Sequence, residues 1–159
     1  MKRVVITGAG TINALGHSVE ETLEAMREGR CGIGPLEFRD VDRLAIKIGG
    51  QVQDFDPEVK FNRQQLALFD RFTQFTLIAA RQAIAQAGLE FSGELAARSG
   101  VVLGNSGGGM TTLDDNYRTV YEDGKNRVHP FVVPKLMNNA AASHVSMEFN
   151  LKGPSFTVA

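Results

Sequence analysis

Between Asp70 and Gly88 apolar and small residues return every three or four positions: Phe72, Phe75, Ala79, Ala83 and Ala87, with Ile78 beside them. That spacing collects them on one helical face and predicts a helix closed by Gly88. Its small-residue side, Ala79, Ala80, Ala83 and Ala87, predicts very close packing on both flanks. Upstream, Arg3 to Thr7 is a β-branched run that predicts a first strand, with Gly8-Ala9-Gly10 as a tight turn after it. Ser18-Val19-Glu20-Glu21 reads as a capping box opening a helix that ends near Gly29. Residues 36 to 61 are loop-like, with a weakly alternating strand at Ile46 to Val52 and a turn at Asp54-Phe55-Asp56-Pro57. Asn62 caps a short helix over Arg63 to Phe69.

The second half continues the pattern. Ser99 to Gly104 predicts a buried strand running into Asn105-Ser106-Gly107-Gly108-Gly109-Met110. Thr111 to Glu122 predicts a helix with Asp123-Gly124 as its stop, and Pro134 opens another that runs to about Phe149. That last helix carries Asn138, Asn139, Ser143, His144 and Ser146 on a mostly buried pattern, so it is expected to face a subunit interface or a site. After Gly153-Pro154 the chain reads Ser155-Phe156-Thr157-Val158-Ala159, a buried strand with no turn behind it. The order β-α-β-α-α-β-α-α-β is that of a mostly parallel α/β layered unit. The missing turn predicts that the chain continues past Ala159.

Composition narrows the function classes. The chain has 159 residues, 43% hydrophobic and 22% charged, with a net charge of −1. That is ordinary for one globular domain and makes no electrostatic case for nucleic acid or an anionic membrane. No apolar run approaches the ~20 residues a membrane span needs. The apolar run after Lys2-Arg3 is too short for a signal peptide, and a single Cys fits a reducing compartment; the expected location is cytoplasmic.

Three features invite a chemical reading. A strand before Gly8-x-Gly10 touches the dinucleotide-binding pattern, but the third glycine comes late, at Gly16, and no acidic residue follows a strand at the usual distance. Cys31 lies in a glycine-rich loop behind a helix, not at a helix start, which is the setting of a structural thiol. Gly107-Gly108-Gly109 is a loop without side chains; it lets a ligand or another backbone approach closely, or serves as a tight strand-to-helix turn.

Several segments resemble one family in order and spacing. Gly153-Pro154-Ser155-Phe156-Thr157-Val158-Ala159 resembles the strand leading into the nucleophile turn of β-ketoacyl-(acyl-carrier-protein) synthases, the condensing enzymes of fatty-acid and polyketide assembly. Arg3 to Gly8 resembles their opening strand, Glu28 to Ile33 their Gly-x-x-Gly-Ile loop, and Asp70-Arg71-Phe72 with Ala79-Ala80 the helix that begins Met-Asp-Arg-Phe. Gly100 to Gly104 resembles a core strand, and Pro130 to Pro134 with Ala141 to Ser146 the segment before the nucleophile strand. Each motif alone is weak; their joint order covers the whole chain.

The resemblance implies a thiolase-like layered α-β-α-β-α fold of two duplicated halves. Residues 1–159 would be most of the first half, ending a few residues before the nucleophilic Cys. It implies decarboxylative Claisen condensation of an acyl-enzyme thioester with malonyl-acyl carrier protein. No cofactor and no metal come with it. The Cys, two His and a Lys of the family's chemistry all fall past Ala159, so no catalytic residue is expected here, and His17, His129 and His144 are not promoted to those roles. The acyl pocket falls on Gly107, where the family holds a bulky gate, and on Val132 and Met137, which reach it from the partner subunit. Glycine at the gate implies tolerance of long or bulky acyl chains. Acyl carrier protein, acyl- and malonyl-loaded, is the implied partner, with Arg63 and Arg71 as the docking cations. The neighbouring Gln64-Gln65-Leu66-Ala67-Leu68 departs from the basic helix that many members carry, so the footprint for an acidic partner is thin. Ser155, Phe156, Thr157 and Val158 would pair antiparallel with their copy across a dimer axis, in a homodimer or in a heterodimer with a ketosynthase-like subunit.

Two other readings share the fold. A chain-length-factor-like subunit pairs with an active synthase but lacks the Cys, and the discriminating residue lies past Ala159. Thiolases carry their nucleophile earlier, in the region of Cys31 to Asn105, and Cys31 has the wrong local setting. If the molecule were these residues alone, exposed apolar faces and poor solubility would follow.

Overall fold

The computed structural model describes residues 3–159. In chain order it forms helix α1 (Val19–Arg27), strand β1 (Gly34–Pro35), a 3-10 turn (Val41–Arg43), β2 (Ile48–Gly49), α2 (Pro57–Lys60), α3 (Arg63–Leu68) and α4 (Arg71–Ala87). It continues with α5 (Gly93–Arg98), β3 (Val101–Gly104), α6 (Met110–Tyr121), α7 (Val132–Leu136), α8 (Ala140–Glu148) and β4 (Ser155–Val158). Two compact units result. One holds the residues up to Asp56 together with Ile78–Gly88, and the other holds Pro57–Leu77 with Leu89–Ala159.

In the first unit the expected opening strand is not formed. Residues 3–10 are extended but pair with no strand among the described residues, and Val4 and Ile6 are 94% and 92% exposed. An apolar run becomes a strand only where an edge offers it hydrogen bonds. Nor is Gly8-Ala9-Gly10 a tight turn. It lies along α4, so close that a β-carbon on Gly8 would sit 2.0 Å from the Ala83 carbonyl oxygen, and one on Gly10 2.0 Å from that of Ala79. The small face of α4 therefore meets backbone, and its alanines are half-buried. Two glutamines fasten the segment: the N–H of Ala9 donates to Gln86 Oε1 (2.7 Å) and that of Thr11 to Gln82 Oε1 (2.9 Å). The strand expected over Ile46 to Val52 shrinks to β2, paired antiparallel with the unexpected β1.

The start of α1 departs from a standard capping box. Ser18 Oγ accepts from the Glu21 N–H (3.1 Å), as the box requires. The Glu21 carboxylate, however, accepts from the N–H of His17 (2.6 Å), one residue further out. At α3 the box is complete, with Asn62 and Gln65 exchanging both bonds (2.9 and 3.0 Å).

The second unit carries most of the core. Phe61, Phe69, Leu77, Ala96, Ala140, Ala141, Ala142 and Val145 are buried. The helix expected from Pro134 to Phe149 is broken into α7 and α8, because Met137 turns extended (φ −59°, ψ 140°) and leaves Leu136 to end α7. The Leu136 carbonyl, freed from a further helical turn, accepts from the N–H of Gly109 instead (2.9 Å). Strands β3 and β4 pair in parallel, Val101 opposite Ser155 and Gly104 opposite Val158, joined by a crossover through α6, α7 and α8. The sheet is not buried on both sides as expected: Val102, Phe156 and Val158 are 70%, 50% and 57% exposed. Helix α8 packs against both strands, and the Oγ of Ser146 and the Oγ1 of Thr157 are buried without a hydrogen-bond partner among the described residues. Helix α5 had no counterpart among the sequence expectations.

Candidate functional site

The glycine loop between β3 and α6 is held at one end by a carboxylate from far along the chain. Gly109 is the N-cap of α6 and has no side chain with which to cap it. Asp70 does so across 42 residues: its Oδ2 accepts the backbone N–H of Thr112 (2.7 Å) and the Thr112 hydroxyl (2.5 Å). Its Oδ1 accepts the N–H of Phe72 (3.4 Å), in the first turn of α4. One carboxylate, only 4% exposed, thus serves the N-termini of two helices, where their dipoles favour negative charge. A side chain at Gly109 would destroy this arrangement. Its β-carbon would lie 2.7 Å from the Leu136 Cα, 2.9 Å from the Lys135 carbonyl oxygen and 3.1 Å from Asp70 Oδ2.

The other end of the loop is less crowded. Gly108 is buried in the left-handed region (φ 62°), and a β-carbon there would strike the Leu136 oxygen at 2.3 Å. Asn105 reaches the same segment, its Nδ2 donating to the Asn138 carbonyl (3.3 Å). Gly107 is exposed, and a β-carbon on it would meet only Met110, 3.3 Å from Cγ and 3.7 Å from Sδ. The loop is therefore pinned at Gly108 and Gly109 against the junction of α7 and α8, while Gly107 stands clear.

Val132 lies on α7 and Met137 is its C-cap residue, so both belong to the helix against which the loop is pinned. Val132 also lines a cleft of about 260 Å³ with Thr112, Asn116, His129 and Lys135. Lys135 Nζ crosses to donate to the Leu66 carbonyl at the end of α3 (3.3 Å). Of the two proposed docking cations, Arg63 is exposed at the start of α3, whereas the Arg71 guanidinium lies 5.0 Å from the centre of the Phe75 ring. Residues Ser155 to Val158 form β4, one edge of which is taken by β3. A cleft of about 320 Å³ in the first unit is walled by Asn13 to His17, Glu21 and Gln53. Several of its polar groups are spent on local structure: Asn13 Oδ1 accepts from Leu15 N–H (2.7 Å) and Glu21 from His17 N–H.

His144 is half-buried and packs against an aromatic pair. Its ring meets Phe69 edge-on with centroids 4.5 Å apart, and Phe69 in turn meets Phe61 at 5.7 Å. Burial pushes its pKa below the usual histidine value, against an opposing pull from Glu148 one turn along α8. Cys31 is exposed in its loop. Sequence reasoning missed Asp70 and Thr112 as the device that seats the glycine loop. The available signal was an N-cap glycine at 109 with no capping side chain of its own, and a lone Asp directly before the strongest helix.

The comparisons with known proteins agree along the whole chain. The family model described as "Beta-ketoacyl synthase, N-terminal domain" matches residues 1–159. The chain is 34% identical over 157 residues to 3-oxoacyl-(acyl-carrier-protein) synthase 2 of Coxiella burnetii, covering 99% of this chain and 38% of that protein. It is 39% identical over 157 residues to Nodulation protein E of Rhizobium sp. strain N33, covering 99% of this chain and 39% of that one. Among solved structures, one described as the ishigamide ketosynthase/chain length factor superposes with a TM-score of 0.85 at 24% identity, over 99% of this chain and 40% of the other, a likeness of fold. The chain thus spans about two fifths of the length of the relatives it matches. Among the described residues no helix is long and apolar enough to cross a membrane. With a family model matching every residue of the chain, relatives above 30% identity over nearly every residue and a thiolase-like ketosynthase fold, this chain belongs to the beta-ketoacyl synthase family and matches its N-terminal domain.

Proposed function

We propose that residues 1–159 are the front part of a condensing enzyme that joins an acyl group to a malonyl-derived unit held on acyl carrier protein. The observation that carries this is the match to the synthase family over every residue of the chain. In the reaction an acyl group passes from its carrier thioester to a Cys thiolate, releasing the carrier thiol. Malonyl-carrier protein then loses CO2, and the resulting carbanion attacks the acyl-enzyme carbonyl. The carbon–sulfur bond to the Cys breaks, and the β-ketoacyl chain leaves on the carrier. The nucleophile, its two His and the Lys are assigned to chain beyond Ala159. A Cys on a turn at a helix N-terminus has its pKa lowered by the dipole, and backbone N–H groups there stabilise the oxyanion.

The part assigned to these residues is the wall of the acyl pocket, with Gly107 facing its own subunit's pocket and Val132 and Met137 reaching the pocket of the partner subunit. Support for the Gly107 assignment comes from the way Gly108 and Gly109 are pinned while Gly107 keeps its space. Arg63 is the docking cation for the acidic carrier protein, and Arg63→Glu is expected to slow acyl loading from it; unchanged loading kinetics would count against that role. The strand Ser155 to Val158 is assigned to a dimer interface, with a copy of the chain or with a ketosynthase-like subunit.

The second reading is a chain-length-factor-like partner without a nucleophile. One structural relative's own description names a chain length factor beside a ketosynthase, which keeps this reading open. Intact mass of the complete protein, before and after a Cys-directed synthase inhibitor, separates the two. One inhibitor adduct is expected of a condensing enzyme. A folded protein that takes none belongs to the partner class.

A further inference from the structure

We infer that Lys135 is a positioning residue that couples α3 to α7: its side chain bridges the cleft between the two helices, so that a disturbance of one reaches the other. Helix α3 has an unfinished end. Its last turn closes when the Phe69 N–H donates to the Gln65 carbonyl (2.8 Å), and the chain then turns extended at Phe69 (φ −104°, ψ 119°). The Leu66 carbonyl is left beyond the reach of the helix's own donors. No basic residue in the last turn of α3 serves it. The donor comes instead from 69 positions along the chain, from Lys135 Nζ on α7 (3.3 Å).

Helix α7 packs on α6 and α8, and between it and α3 lies the cleft of about 260 Å³ that Ala67, Thr112, Asn116, Val132 and Lys135 line. Lys135 is half-buried there, and its ammonium pairs with no carboxylate among the described residues. Its aliphatic stem spans the gap, and its charge strengthens the bond to the carbonyl over that of a neutral donor. Five residues are too few for α7 to hold its place by its own hydrogen bonds. Two consecutive residues fix it. Lys135 reaches α3 by its side chain, and the Leu136 carbonyl accepts the N–H of Gly109 (2.9 Å). The second bond is made by backbone and does not depend on the side chain at 135; the first belongs to one side chain alone. That bond ties the helix of Arg63, where the carrier protein docks, to the helix of Val132, a functional consequence that rests on the reading proposed above.

The test is amide hydrogen exchange on the complete protein, read at the N–H of Phe69 for α3 and of Met137 for α7. Lys135→Met keeps an apolar stem and removes the charge; it should speed exchange at both sites about tenfold while α1 keeps its rate. Lys135→Arg, which retains a charged donor, should bring both back toward the parent. Asn62→Ala then loosens α3 alone by removing its cap. With Lys135 present, Met137 should speed up along with Phe69, by about fivefold. In the Lys135→Met background Phe69 alone should respond. If Lys135→Met speeds neither site, or if Met137 follows Asn62→Ala in both backgrounds, the coupling does not run through Lys135 and the inference is overturned. Should Lys135→Met fail to fold, Asn62→Ala in the parent still decides, since a Met137 that ignores it overturns the coupling. Apo acyl carrier protein is the functional probe. It should slow exchange at Phe69 and, only where Lys135 is present, shift that at Met137. A carrier that slows Phe69 in the parent and leaves Met137 unmoved overturns the inference. A carrier that alters neither site overturns instead the docking role of α3, and the Asn62→Ala result then judges Lys135 on its own.

Discussion

Two glycine-rich stretches follow apolar runs in this chain, and they solve different problems. Gly8-Ala9-Gly10 lies flat against the alanine face of α4, where both glycines are demanded by carbonyl oxygens 2.0 Å from where a β-carbon would be. Gly107-Gly108-Gly109 is a loop pinned at two of its three positions and open at the third. In the first stretch the missing side chains allow one backbone to touch another. In the second, two glycines serve packing, and Gly107 leaves room for something else. A glycine pattern tells that a β-carbon is absent; what takes its place is a property of the neighbour.

Substitutions can break this contrast in graded fashion. Gly10→Val should be the most damaging, since the new side chain meets backbone that cannot rotate away; a loss of about 3 kcal/mol is expected from overpacking of this kind, read from the urea midpoint. Asp70→Ala should follow at about 2 kcal/mol, because it strands the N–H and hydroxyl of Thr112 in a buried place. Asp70→Asn, which keeps one acceptor, should recover part of that loss. Gly107→Ala should stay within about 0.5 kcal/mol of the parent, because beyond its chain neighbours the new β-carbon would meet, among the described residues, only the flexible Met110. An effect as large as that of Gly10→Val would abolish the distinction between the two loops.

A pH series sharpens the comparison further. Phe69, which the His144 ring contacts, directly precedes Asp70 in the chain. Burial lowers the His144 pKa, so the folded state binds its proton less readily than the unfolded state. Its contribution is present above the ordinary histidine pKa of about 6.5 and is lost as pH falls below it, toward the lowered folded value. Urea midpoints at pH values on either side should fall on acidification, and His144→Phe should flatten that dependence. A wild-type slope unchanged in the variant would remove His144 as its source.

Much of the local structure was legible from residue order. Asn62 and Gln65 form the box their spacing predicts, α4 keeps nearly its expected bounds, and Gly88 closes it with a positive φ of 63°. These features are set by neighbours three or four residues apart, so the chain carries their causes locally. The family was legible for a related reason, since the order of short motifs survives where each motif alone is weak. The break of the long expected helix at Met137 was not legible: Asn138 and Asn139 are tolerable in a helix, and the competing partner for Leu136 is the N–H of Gly109, 27 positions away. The strand expected at Arg3 to Thr7 fails on the opposite ground, an apolar run with no paired edge among the described residues.

Residue order alone thus determined helices α1, α3, α4 and α6, with their ends to within a few residues, and the family to which the chain belongs. Hydrogen bonds and steric limits within a few residues are enough for that. Three-dimensional contact decided the rest. It placed the Asp70 carboxylate at the start of α6, gave the alanine face of α4 a backbone to lie on, and turned the Leu136 carbonyl toward the N–H of Gly109. Each of these depends on residues dozens of positions apart, or on the space a side chain leaves, and such information exists only once the chain has closed on itself.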